Sequence, residues 1–284
     1  MSETPPRILI GITTHNRAGV LPKAIASALS QQNVNVVVAV HDDSSTDDTP
    51  TISKEYPAVE WTRSETLGGY RTIRNQWMQR HEFDYFVSLD DDAWFLNSTA
   101  LETALARFDA NSRLGAIAFD ILSPQEPDEN PITPPRETFM FIGCGHMLRL
   151  SAVAEAGYYV ETPGPYGGEE RDLAIRLVDL NYLIEFLGGV HVWHDKAWTG
   201  RDWFPLHRSG VCNDLALALQ RYPREVLWYL LPGKILSYSY YWLRNPRFLK
   251  AGLFGLFDFL ANGISIWQSR APVRAATIRR IRSK

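Results

Sequence analysis

Three carboxylates stand side by side in YFVSLDDDAWF, where Tyr85 to Leu89 read as a buried strand and Asp90, Asp91 and Asp92 follow without a break. Charge at that density repels itself, so the group needs a cation or strong donors unless it faces water on all sides. Two other apolar runs also end in polar clusters: Thr13-Thr14-His15-Asn16 after RILIGIT, and Asp42-Asp43-Ser44-Ser45 after VNVVVAVH. A further acidic set, Glu169, Glu170 and Asp172 in GGEERDL, opens an amphipathic helical pattern, and GGVHVWHDKAW offers His191 and His194. Oxygen-rich clusters suit hard cations, and a single carboxylate can take a proton from a hydroxyl. Taken one at a time, each cluster is also ordinary turn or helix-start chemistry.

The elements that must position these residues alternate. RILIGIT is a β-branched run; Leu21 to Ser30 carries Leu21, Ile25, Ala28 and Leu29 at helical spacing with Pro22 near its start; VNVVVAV is a second strand. A weak strand surrounds Val59 to Thr62, a helix runs from about Tyr70 to Arg80, and Tyr85 to Leu89 forms the fourth strand. This order predicts an α/β fold, a mostly parallel central sheet with helices on its faces. Ligands of such sheets sit beyond the carboxyl ends of the strands, where the three polar clusters should converge.

After Asp120 the Pro-rich SPQEPDENPITPPRET reads as a surface loop, FMFIGCGHMLRL as strand-like, and Ser151 to Ala156 as a helix. The loop GYYVETPGPYGG leads into EERDLAIRLVDLNY, a helix with Leu173, Ile175, Leu177 and Leu180 inside. From Leu206 onward the chain is helical, aromatic and basic.

With 284 residues, 45% of them apolar, the chain can bury a large core. Cys144 and Cys212 are too few for a disulfide framework and show no CxxC spacing, which favours a reducing compartment without structural zinc. MSETPPRILI lacks a basic region followed by a long apolar run, so the expected location is cytoplasmic. The net charge of −3 hides an asymmetry: from Arg221 to Lys284 twelve Lys and Arg face only Glu225 and Asp258, a balance of +10 that leaves −13 to residues 1–220. The acidic body argues against nucleic-acid binding. Leu249, Leu253, Leu256, Phe257, Leu260 and Ile264 recur at helical spacing, but Lys250, Asp258 and Asn262 make the segment a poor transmembrane span. Two readings fit it equally: a helix lying in a membrane interface, with Arg270, Arg274, Arg279, Arg280, Arg282 and Lys284 meeting anionic headgroups, or a helical subdomain packed on the sheet.

ILIGITTHNRAGVLPKAIASALSQ, VVVAVHDDSSTDDT, GGYRTIRNQWM and YFVSLDDDAW, in this order, resemble the nucleotide-sugar-binding half of the family 2 glycosyltransferases of GT-A fold, within the nucleotide-diphospho-sugar transferase superfamily. GGEERDLAIRL is similar to that family's acidic acceptor-side motif. The resemblance implies a GT-A (Rossmann-like) domain over residues 1–220, with a nucleotide-sugar half at 1–120, an acceptor-side half at 121–220, and a basic helical extension at 221–284. It further implies a metal-dependent, inverting transferase that moves sugar from a UDP- or dTDP-sugar to a glycan or lipid-linked acceptor in cell-surface polysaccharide assembly. Such an enzyme would be cytoplasmic or peripheral on the inner face of the cell membrane.

By the same resemblance Asp92, Asp90 and His194 would hold Mn²⁺ or Mg²⁺, with Asp91 assisting. Thr13, Thr14, Asn16, Arg17, Asp43, Arg74, Asp90 and Asp91 would line the nucleotide-sugar site, Asp43 accepting from a pyrimidine imide N–H. Glu170 would be the base, with Glu169 as competitor and Asp172 beside them. Arg74 as a simple ion-pair partner, and Asp172 to Arg176 as a helix ion pair, are the structural alternatives. Trp193, Trp198 and Trp203 could stack on a sugar or a lipid-linked acceptor or simply fill a core. WHDKAW bears a faint likeness to galactofuranosyl-transferring members, making UDP-galactofuranose one candidate donor. Two rival functions are a catalytically silent nucleotide-sugar-binding or membrane-scaffold protein, and a nucleotidylyltransferase, whose usual Gly-rich triphosphate loop ITTHNRAG does not supply.

Overall fold

The computed structural model describes residues 5–125, 133–196 and 202–283. Chain contacts divide it into two compact units, residues 1–158 with 180–196, and residues 159–179 with 197–284.

The first unit is built on a nine-stranded sheet. β1 (Arg7–Thr14), β2 (Asn35–Asp43), β3 (Glu60–Ser64) and β4 (Tyr85–Asp90) run parallel in the order β3-β2-β1-β4. α1 (Leu21–Leu29) and α2 (Tyr70–Met78) are crossovers, as the apolar periodicity predicts. Leu21, Ile25 and Ala28 of α1 pack against Ile8, Ile10, Ile12, Val38 and Val40 on one face. On the other face α2 lies close because Gly11 carries no side chain: a Cβ there would fall 2.5 Å from the Trp77 ring and 2.7 Å from that of Phe86.

Beyond β4 the structure adds elements that periodicity did not reveal: β5 (Ala93–Phe95), α3 (Ala100–Ala110), β6 (Leu114–Leu122), β7 (Arg136–Thr138) and β9 (Leu183–His194). β8 (Gly145–Arg149) runs antiparallel between β4 and β6 and continues into α4 (Leu150–Ala156). β9 runs parallel to β6 and takes β5 and β7 antiparallel. The expected strand FMFIGCGHMLRL is shorter than its apolar content suggested. Its first half is a turn in which Gly145 N–H bonds Ile142 C=O at 3.2 Å, and pairing begins only at Gly145. Much of the loop at 123–135 lies outside the described residues, as does Trp198.

The second unit is helical: α5 (Glu169–Asp179), α6 (Trp203–Arg221), α7 (Arg224–Arg244), α8 (Leu249–Ala261), α9 (Gly263–Gln268) and α10 (Ala275–Arg282). Leu180, expected inside α5, is exposed and lies past its end. One face of α6, with Val211, Cys212, Leu215 and Ala216, packs on Trp242, Phe259 and Ile266. Leu217, Ala218 and Tyr222 meet Ile175, Val226, Leu230 and Ile278. Among the described residues no helix is long and apolar enough to cross a membrane.

Candidate functional site

At the carboxyl end of the parallel strands, register decides which side chains meet. Thr13 of β1 pairs with Asp90 of β4, and Thr14 with Asp42 of β2, so the three polar clusters share one sheet edge. The chain then turns through Asp91 and Asp92 into β5, where Ala93 pairs antiparallel with His194 and Asp195 N–H bonds Asp92 C=O at 2.8 Å. This ladder puts His194 Nε2 3.2 Å from Asp92 Oδ1. His191 sits three residues earlier, opposite Asp120, whose carboxylate lies 3.5 Å away.

The three adjacent acids have different surroundings. Asp90 accepts from Arg74 Nη2 at 2.7 Å, and Arg74 is buried, its guanidinium also 4.9 Å from the Tyr70 ring centre. Asp91 is pushed up to about 7 by burial, with the charges of Asp92 and Asp90 adding to it against the pull of Arg17 3.8 Å away. Burial also pushes Asp92 up, but the hydrogen bond and charge of His194 together with Arg17 outweigh it and hold the carboxyl below its ordinary value. A buried acid driven toward neutrality mainly by desolvation, between two other carboxylates, would gain from added positive charge. A divalent cation would supply it, and oxygen and imidazole donors suit one. Asp90, Cys144 and His194 each present a ligand atom, all within 4.8 Å of one another.

The two neighbouring loops are stitched to each other. Asn16, at φ 54°, accepts at Oδ1 from Thr46 N–H at 2.7 Å, and its own N–H donates to Ser45 Oγ at 2.9 Å. Arg17 N–H donates to Thr49 Oγ1 at 2.9 Å, which aims its side chain back toward Asp91 and Asp92. Ser44 also has a positive φ, 63°, a conformation unusual for Ser that the surrounding bonds impose. Asp43 Oδ1 accepts from Gly68 N–H at 2.7 Å and Ser64 Oγ at 3.0 Å, and Oδ2 from Gly69 N–H at 3.0 Å. Burial raises the Asp43 pKa, but those three donors and His41 outweigh it and leave it low. Gly69, at φ 82°, is needed for this turn into α2. A carboxylate has about four lone-pair sites, so Asp43 organises the turn and keeps Oδ2 capacity for one more donor.

In the second unit Gly167 and Gly168, at φ 73° and 103°, turn the chain into α5. Asn213 of α6 holds that turn, accepting Gly164 N–H at 2.6 Å and donating to the carbonyls of Tyr166 and Gly167 at 3.0 and 2.7 Å. Glu169 is fully buried and Glu170 partly exposed. Asp172, expected among the catalytic acids, is engaged elsewhere. Its buried carboxylate accepts from Arg176 at 2.7 Å and from Arg221 at 2.5 Å, which leaves it poorly placed to take a proton.

Sequence reasoning missed Asn213 and Cys144. Cys144 reaches the acids because Leu89 pairs with Gly145, placing the preceding residue beside Asp90. A Cβ at Gly145 would meet Ile121 Cδ1 at 2.5 Å, so that side chain would have to shift to admit one. Burial, with the charges of Asp90 and Asp92, keeps the Cys144 thiol protonated, its pKa well above the usual value. Hard cations prefer oxygen to sulfur, so Cys144→Ser should change Mn²⁺ affinity, measured by titration calorimetry, by no more than about threefold. A loss of about a hundredfold would make the sulfur a ligand.

Residues 9–155 match the sequence profile of the family described as Glycosyl transferase family 2. No curated protein sequence matches the chain. Among solved structures, S. aureus TarS residues 1–349 in complex with UDP-GlcNAc is similar at 15% identity, with 89% of this chain and 80% of that one covered and a TM-score of 0.65. A mannosyltransferase from Pyrobaculum calidifontis in complex with GDP-Man and Mn²⁺ aligns at 16% identity over 99% and 80%, TM-score 0.62. GalNAc-T7 with UDP, GalNAc and Mn²⁺ aligns at 14% over 78% and 49%, TM-score 0.61. At these identities the likeness shows the fold, which is GT-A.

Proposed function

The chain belongs to glycosyl transferase family 2, and from that premise we propose a metal-dependent, inverting glycosyltransferase that moves a sugar from a UDP- or dTDP-sugar to a hydroxyl of a glycan or lipid-linked acceptor. The observation that carries this reading is the position of His194 at the end of the parallel strands, 3.2 Å from Asp92 and with a ligand atom within 4.8 Å of one of Asp90, beside Arg17 and Arg74. In it Asp92, Asp90 and His194 hold Mn²⁺ or Mg²⁺, which would supply positive charge against a leaving diphosphate. An imidazole among the ligands favours Mn²⁺, since Mg²⁺ keeps to oxygen.

Arg74 fixes the Asp90 carboxylate, and Arg17 adds charge next to Asp91 and Asp92. Thr13, Thr14 and Asn16 shape the loop on which the nucleotide lies. The remaining acceptor capacity of Asp43 supports a base with an imide N–H, as uracil and thymine have. Guanine also carries a ring N–H, so a donor panel must include GDP-sugars; the mannosyltransferase neighbour carries GDP-Man. Glu170, at the partly exposed start of α5, takes the acceptor hydroxyl proton, while buried Glu169 and paired Asp172 shape the helix start.

The test is binding and turnover of UDP-, dTDP- and GDP-sugars with Mn²⁺ or chelator. Glu170→Gln should keep donor affinity within about twofold and lower turnover by about 10²-fold or more. Unchanged turnover in Glu170→Gln, with Glu169→Gln inactive, would reassign the base. Metal-independent binding would remove the cation from the reading.

A further inference from the structure

α8 is apolar apart from Lys250 and Asp258, yet only one side of it is covered. Ala251, Gly252, Gly255 and Phe259 face inward: a Cβ on Gly255 would meet Arg208 C=O at 2.4 Å, and Gly252 abuts the Trp242 ring of α7. The opposite side carries Leu249, Leu253, Phe257 and Leu260, and the same stripe passes into α9 at Ile264. These residues repeat at helical spacing, one continuous row, with Phe257 67% and Ile264 77% exposed. α7 repeats the arrangement. Val226, Leu230 and Trp242 point inward, while Trp228, Leu236, Tyr240 and Leu243 share the outer side, Leu243 80% exposed. A helix whose outer face is as apolar as its inner face needs a cover.

Charge says what the cover is. Where α7 turns into α8, Arg244, Arg247 and Lys250 are exposed, the Arg244 guanidinium 4.8 Å from the Tyr240 ring centre and that of Arg247 4.7 Å from Phe248. From 221 to the end of the chain the only carboxylates are Glu225 and Asp258. Asp258 is bound to Arg208 at 2.5 and 2.7 Å, which leaves Glu225, in the first turn of α7, as the one acid away from this basic corner. A second copy of the chain on this face would set the same cations against each other. Apolar and aromatic rows next to Arg and Lys, with Glu225 the one exposed acid of residues 221–283, match the interface of an anionic bilayer. Arg270 donates to the carbonyls of Leu219 and Tyr222, and Arg274, still exposed, bonds Asp179, so both also have partners within the protein.

We propose that the outer faces of α7 and α8 dock this protein on an anionic lipid surface, with Leu253, Phe257, Leu260 and Ile264 entering the headgroup boundary and Arg244, Arg247 and Lys250 meeting lipid phosphate. The proposal stands apart from the donor chemistry and does not need it. It is tested by flotation of the full chain with vesicles of phosphatidylcholine alone or with about one-third phosphatidylglycerol. The wild type should bind the anionic vesicles at least about tenfold more tightly than the neutral ones, less so as salt rises. Phe257→Glu with Ile264→Glu, and separately Arg247→Glu with Lys250→Glu, should each lose about tenfold or more of that binding.

Both pairs lie on the surface, so thermal unfolding should stay as in the wild type; if the Glu pair unfolds, Phe257→Ser with Ile264→Ser takes its place. Equal binding to both vesicle types overturns the proposal, as does undiminished binding by both pairs. Sedimentation of the wild type as a dimer that Phe257→Glu with Ile264→Glu dissociates would also overturn it, assigning the face to a second copy.

Discussion

Asp92→Asn should abolish metal-dependent donor binding and lower turnover by about 10³-fold or more, the larger loss in turnover because charge on a departing diphosphate develops after binding. The surroundings of Asp92 hold its carboxyl below its ordinary value before any cation arrives. His194 at 3.2 Å and Arg17 at 3.9 Å overcome the effect of burial. The amide has nearly the same shape but no charge, so Arg17 would keep only Asp91 as an anionic neighbour and His194 would lose its carboxylate partner. Titration calorimetry with Mn²⁺, followed by steady-state turnover, reads both effects. Metal affinity within about threefold of the wild type would show that Asp92 is not a ligand.

Asp172→Ala should lower unfolding free energy by about 3–5 kcal/mol, because it leaves two buried guanidiniums facing one another with no anion between them. Arg176 shows the tension already: burial pulls its pKa down, Asp172 pulls it up, and Arg221 pulls it down again. Arg221 also donates to Ala271 C=O at 3.1 Å, so one carboxylate ties α5 and α6 to the segment before α10. Urea unfolding, with amide exchange of α5 as the local reading, measures the loss. Replacing Asp172, Arg176 and Arg221 together with apolar residues of similar volume should cost less than Asp172→Ala alone. If Asp172→Ala is the milder of the two, the triad is not what holds these helices.

How far the molecule could be read from its sequence varies by residue. β1, α1, β2, α2 and β4 were legible because each carries its own period and ends in turn residues. β5 is three residues long and exists only through pairing with β9, so nothing local marks it. Asp90, Asp92 and His194 could be named by resemblance, whereas Cys144 could not, since its place depends on an antiparallel neighbour far along the chain. Asp172 shared its motif with Glu169 and Glu170, and only Arg221, forty-nine positions away, distinguishes it. The apolar row of α8 was legible as a helix face, but its two readings, membrane interface or packed subdomain, were not separable because the inner face is also apolar and made largely of small residues.

The pairing of Ala93 with His194 also sets a timetable. During synthesis the acids after β4 emerge about a hundred residues before their imidazole, and contacts so distant in sequence form late. Until β9 closes on β5 the nascent chain has the carboxylates but not the full set of ligands proposed for the cation. The cation should therefore act on the finished sheet: added during refolding it should leave the folding rate nearly unchanged, and added afterwards it should slow unfolding.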